Sequence, residues 1–159
     1  MSERMTDSRS VAAAEAPRFD LGDLPSLLGF HLRLAHVAMY RDFTEALAEL
    51  ELTQKQCAVL QLIAANPGVS QVDLAAILGS DRATMMALVD RLDERDLVTR
   101  RRSASDRRRQ ELSLTARGVT VLEAGNRAIA THERRFTERF SPAELKSLIE
   151  ALSRIHRQV

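Results

Sequence analysis

Apolar residues recur along this chain with two different periods, and the change of period places its elements. Leu28, Leu32, Ala35, Met39, Phe43, Ala46 and Leu50 follow one another at spacings of three and four, one stripe along a long helix. Asp23, two residues ahead of Pro25, marks the expected start of that helix. Leu27, Phe30, Leu34 and Val37 form a second stripe on its first half. A terminal helix of an isolated domain needs one apolar face, so the second predicts burial against another subunit. Thr53-Gln-Lys-Gln56 has the form of a capping box, with Cys57, Leu60 and Ile63 on one face of the helix it opens, and Asn66-Pro67-Gly68 stops that helix. Ser70-Gln-Val-Asp73 opens a short helix containing Leu74, Ile77 and Leu78, which Gly79 closes. Ser80 or Asp81 then caps a longer helix with Met85, Leu88, Val89 and Leu92 inward. Two helices joined by a tight glycine turn are a helix-turn-helix.

The period then drops to two. Residues 97–102 and 110–114 read as short strands, with Leu112 and Leu114 on one face and a polar loop at 103–108 between them. Thr115 caps a fifth helix with Val119, Leu122, Ile129, Phe136 and Phe140 along one side. Ser141-Pro-Ala-Glu144 opens the last, which carries Leu145, Leu148, Ile149, Leu152, Ile155 and Val159. The expected fold is mainly α with a small β-hairpin wing: a winged helix-turn-helix between long N- and C-terminal helices. Residues 1–20 lack any period, are rich in Ala and Ser, and read as a disordered leader.

Composition narrows the class. With 159 residues, 45% of them hydrophobic and 28% charged, the chain can bury the core of one ordinary domain. It has no apolar run of membrane-spanning length and no signal-peptide core near Met1, which points to a cytoplasmic protein. A single cysteine excludes an internal disulfide. The net charge is only +1, yet 100–109 holds six arginines and one acid, a local +5. Arg100, Arg101, Arg102, Arg107, Arg108 and Arg109 repel one another unless a polyanion relieves them, and guanidinium groups suit phosphates and narrow minor grooves. A solvated basic hairpin is the plainer reading, but the cluster directly follows a helix-turn-helix. Asp106 either braces the loop, against one of Arg100 to Arg102 or as an Asx-turn, or simply interrupts the basic run.

The second helix of a helix-turn-helix reads bases through its N-terminal part. Here it presents Asp81, Arg82, Thr84, Met86, Ala87, Asp90 and Arg91 away from its core face. Arg82 suits a guanine, and Thr84 a phosphate or a thymine methyl. Arg91 reads as a backbone contact or a partner of Asp90 or Asp93. Met86 and Ala87 offer only apolar contact, so hydrogen-bond readout is sparse.

Residues 79–100, followed by Ser105-Asp-Arg-Arg108 and Leu112-Ser-Leu-Thr-Ala-Arg-Gly118, resemble the MarR transcriptional regulators over about 24–158. The resemblance rests on a Val-Asp-Arg-Leu phrase, a wing Asp-x-Arg and a Leu-Thr-x-x-Gly helix start. It implies an obligate homodimer on palindromic DNA, with 23–50 and 116–159 as dimerisation helices around a DNA-binding lobe at about 53–115. It makes Arg108 the wing-tip arginine of the minor groove and Asp106 its structural partner. Two positions depart from the pattern. Met86 and Ala87 stand where Thr or Arg is common, and Asp96 replaces the usual Gly, a substitution that a left-handed turn tolerates.

The remaining candidates concern input. Arg33, His36 and Tyr40 share a helix face and suit an aromatic carboxylate, phenol or aromatic acyl-CoA thioester, or else form an ordinary solvated face. Gly29-Phe-His-Leu-Arg-Leu-Ala35 resembles the branch of the family that senses aromatic acyl-CoA thioesters. His31 and His36 are five apart and do not form an adjacent ligand pair, so no metal is expected, and the alternative of a metal-sensing repressor needs other ligands brought together in space. Cys57 reads as a core residue, with a redox sensor as the alternative. No catalytic constellation or cofactor motif appears. The expectation is a ligand-released repressor whose partners are double-stranded DNA, a second copy of the chain and a small effector. A protein–protein adaptor without DNA binding is the rival from another class.

Overall fold

The computed structural model describes residues 19–102 and 110–157, which divide into two units between Ala35 and His36. In the first, a 3-10 turn at Leu24–Ser26 precedes helix α1, Leu28–Ala46, which crosses the division. The helix therefore starts later than the Asp23 expected from sequence. Asp23 lies in the helical region with no side-chain cap bond, and Leu27 is extended. The reason is local: Ser26 N donates to Asp23 O and Leu27 N to Leu24 O in a tight 3-10 turn, and the Ser26 hydroxyl also bonds back to the Asp23 carbonyl (2.8 Å), competing with a continuing helix.

The second unit contains the rest of α1, then α2 Gln54–Ala65, α3 Gln71–Ile77, α4 Arg82–Glu94, β1 Val98–Arg102, β2 Gln110–Leu114, α5 Ala116–Thr137 and α6 Pro142–His156. The capping signals form as expected. Thr53 and Gln56 exchange bonds (2.9 and 3.2 Å), as do Ser70 with Asp73 and Ser141 with Glu144. Asp81, not Ser80, caps α4.

Helix α1 ends at Ala46 rather than Leu50. A 3-10 turn at Ala48–Leu50 leads to Glu51, which is left-handed at φ 49°. The Arg95 guanidinium stabilises this exit by donating to the carbonyls of Glu51 (2.7 Å) and Leu50 (2.9 Å). Phe140, expected along α5, lies beyond its end. The chain turns through Arg139 and Phe140 so that Ser141 can adopt the extended backbone of an N-cap before Pro142.

The hairpin is antiparallel, with Val98 opposite Leu114, Arg100 opposite Leu112 and Arg102 opposite Gln110. The other edge of β2 is covered by the loop before α3. There Gly68 N donates to Leu112 O and Leu112 N donates to Val69 O. The core gathers Leu47, Leu60, Ile63, Leu74, Met85, Leu92, Leu97 and Leu112, all fully buried.

One joint ties the hairpin to α5. Asp96 takes the left-handed conformation (φ 55°), as expected of the residue in the glycine position. Its carbonyl accepts from the Thr115 hydroxyl (2.6 Å), whose own oxygen accepts from Gly118 N (2.9 Å). A Cβ on Gly118 would sit 1.9 Å from the Leu97 carbonyl oxygen, so only glycine permits this approach. Helix α6, by contrast, buries none of its residues in the single chain.

Candidate nucleic-acid interface

Helices α3 and α4, with Gly79 left-handed between them, set one face of α4 into the core through Met85, Val89 and Leu92. The opposite face presents Ala83, Met86, Ala87 and the half-buried Asp90, flanked by Arg82, Thr84 and Arg91.

Several of the polar groups on this helix are already engaged. Asp81 accepts from Thr84 N (2.8 Å) and from the Thr84 hydroxyl (2.6 Å), so the cap and the hydroxyl satisfy each other. The Thr84 hydroxyl and N–H hold the Asp81 carboxyl below its ordinary value, keeping the cap ionised. Asp81 thus works on its own helix end, and Thr84, its proton committed there, can offer a partner only its methyl group or an accepting oxygen.

Asp90 and Asp93 face the hairpin. Arg100 pairs with Asp90 through Nη2 and lies 3.7 Å from Asp93 through Nε. Arg91 therefore does not pair with these two acids, and it has no ion pair among the described residues. Of the arginine cluster, Arg100 turns inward as a brace between β1 and α4, whereas Arg101 and Arg102 differ in exposure from it: Arg102 is open to solvent at the strand end. Asp106, Arg107, Arg108 and Arg109 lie outside the described residues.

On α1, the His36 and Tyr40 rings stand 5.8 Å apart, centroid to centroid, and both side chains are exposed. Arg33, in the other unit, is also exposed. Cys57 is buried, and burial pushes its thiol up to about 11, so it stays protonated and unreactive at neutral pH.

The sequence reading missed one polar centre. His132 on α5 is 2% exposed, held edge-on by Phe43 and Phe136. Its Nδ1 donates to Asp42 Oδ2 (2.6 Å), and Arg135 donates to Asp42 Oδ1 (2.6 Å). His132 and then Arg135 hold the Asp42 carboxyl below its ordinary value. The only sequence signal was a histidine in the apolar register of α5.

The MarR family model matches residues 50–109, which takes in α2, the helix-turn-helix and the first strand of the hairpin. A transcriptional regulatory protein for the hcr operon of Thauera aromatica is 38% identical over 86% of this chain and 83% of its own length. The repressor CouR bound to a 23-mer DNA duplex superposes with a TM-score of 0.84 at 37% identity, covering 88% of this chain and 99% of that one. CouR bound to p-coumaroyl-CoA superposes with a TM-score of 0.80 at 34% identity, over 89% of this chain and 100% of that one.

Proposed function

This chain belongs to the MarR family and is a transcriptional regulator, and we propose that it is a homodimeric repressor released from a palindromic operator by an aromatic, anionic effector. The observation that carries this reading is the likeness, over 88% of the chain, to a repressor seen on a DNA duplex. The geometry supports it: α4 offers an open outer face, and the hairpin beside it leads into the arginine cluster.

The lobe at about 53–115 is the DNA-binding part in this reading. Arg82 meets a base edge, Arg91 and Arg102 meet phosphates, and Asp81 and Thr84 set the entry of α4 into the major groove. Arg107, Arg108 and Arg109 serve the flanking minor groove, which Arg108 enters, with Asp106 as the structural partner of Arg108. Dimerisation falls to 23–50 and 116–159, because α6 leaves Leu148, Ile149, Leu152 and Ile155 exposed on one stripe. Two lobes then reach successive major grooves, about 34–36 Å apart.

For the effector, the likeness to CouR bound to p-coumaroyl-CoA favours an aromatic acid or its CoA thioester. His36 and Tyr40 are the proposed contacts of its ring, and Arg33 is proposed separately, on its charge. Binding shifts the dimer toward a lobe spacing that no longer matches the operator.

Fluorescence anisotropy tests this directly. Duplex from the region upstream of the chain's own gene is titrated with protein, then with aromatic acids and their CoA thioesters. Tight, salt-dependent binding relieved by one of them is the expected result. Absence of binding at low salt by folded dimer would overturn it.

A further inference from the structure

The outer face of α4 is sparse in polar groups, because its exposed centre between Arg82 and Arg91 keeps no free hydrogen-bond donor. Ala83, Met86, Ala87 and Asp90 succeed one another along it at spacings of three, one and three. Asp90 pairs with Arg100 through one carboxylate oxygen, and the Thr84 hydroxyl spends its proton on the Asp81 carboxylate. What remains between Arg82 and Arg91 is two alanine methyl groups and one long thioether, Met86, which is 52% exposed.

Met85, next in sequence, is fully buried in the core, so the pair of methionines divides between the two sides of the helix. Met86 stands outside the buried core, with half of its surface open. The alanines keep the helix surface low and permit close approach, while the unbranched thioether reaches several ångströms beyond them. In the major groove the only apolar feature of a base-pair edge is the 5-methyl group of thymine.

Building on the proposal that this helix enters the major groove, we infer that Met86 is a specificity-determining residue that selects a thymine in each half-site by packing on its 5-methyl group. Arg82 and Arg91 flank this contact and position it, and Met86 discriminates thymine from cytosine without a hydrogen bond.

The test uses the full chain. In vitro selection from a random-sequence duplex library first supplies a bound site. Each thymine of its half-sites is then replaced in turn by deoxyuridine, which removes only the 5-methyl group, and affinities are read by anisotropy. One position per half-site is expected where loss of the methyl weakens binding about fourfold, as for one buried methyl group. Met86→Ala binds the thymine and uracil duplexes equally, whereas Met86→Leu keeps the preference. Because Met86 is exposed, both variants should melt with the wild type, which circular dichroism checks.

The inference is overturned if wild-type protein is indifferent to the methyl at every position, or if Met86→Ala stays as sensitive as wild type, while tight salt-dependent binding persists. If the folded chain selects no duplex at all, the DNA-binding reading falls and takes this inference with it.

Discussion

The lobe from α2 to β2 and the final helix, α6, begin alike and end differently. Both open on capping boxes, at Thr53, Ser70 and Ser141. The lobe goes on to close a core of its own, with Leu60, Leu74, Leu92, Leu97 and Leu112 fully buried. On α6 the apolar stripe stays between 37% and 55% exposed at Leu148, Ile149, Leu152 and Ile155. Local helix signals and burial are therefore separate properties. A capping box decides where a helix starts and says nothing about what covers it.

The sharpest way to break the lobe is Gly118→Ala. With the Leu97 carbonyl 1.9 Å from the new Cβ, the start of α5 must move away from the hairpin. A loss of about 3 kcal/mol or more is expected in thermal or urea denaturation. A variant as stable as wild type would show that the joint is not tight.

Leu152→Ala probes the other side of the comparison. It should cost about 2 kcal/mol of dimer stability per chain through lost apolar burial. Analytical ultracentrifugation would show a shift toward monomer. An unchanged dimer would remove this stripe of α6 from the interface.

Arg100→Ala tests whether the arginine cluster is uniform. Arg100 braces α4 by pairing with Asp90, so its removal should cost about 1 to 2 kcal/mol of stability. Arg102→Ala, at the exposed strand end, should leave the melting temperature unchanged. Equal losses from the two would contradict the division of the cluster into a brace and a free end.

The smallest effect is present at neutral pH and disappears in acid. Asp42 has a depressed folded pKa, against an ordinary 3.8, because His132 and Arg135 bond its charged form. Its stabilisation is complete above the ordinary value and is lost as pH falls through the folded one. Asp42→Asn should therefore be less stable than wild type at neutral pH and show a shallower decline below about pH 4, read by acid titration of the circular dichroism signal. An identical acid limb would mean that the His132 centre does not contribute.

Much of the fold is legible because its signals span only three or four residues. Thr53, Ser70, Thr115 and Ser141 announce their helices, and the switch of period after Leu92 announces the hairpin. The failures are local too. At Asp23 the signal of an acid before proline was outweighed by the Ser26 back-bond, and Phe140 kept an apolar spacing past the point where Ser141 needed extended backbone. The candidate interface was legible as composition, an arginine cluster after a helix-turn-helix, but not as a division of labour among those arginines.

By itself the sequence determined the order of elements, their caps, the open apolar stripes, the basic hairpin and the family resemblance, since each is written in neighbouring residues. Tertiary structure alone decided that Arg95 clamps Leu50 and Glu51, that Arg100 pairs with Asp90, and that Asp42 meets His132 and Arg135. These partners stand 44 and 45, 10, and 90 and 93 residues apart. No periodicity encodes such pairings. A polar side chain finds its partner only after apolar burial has folded the helices together, and the burial of His132 then makes an unpaired alternative costly.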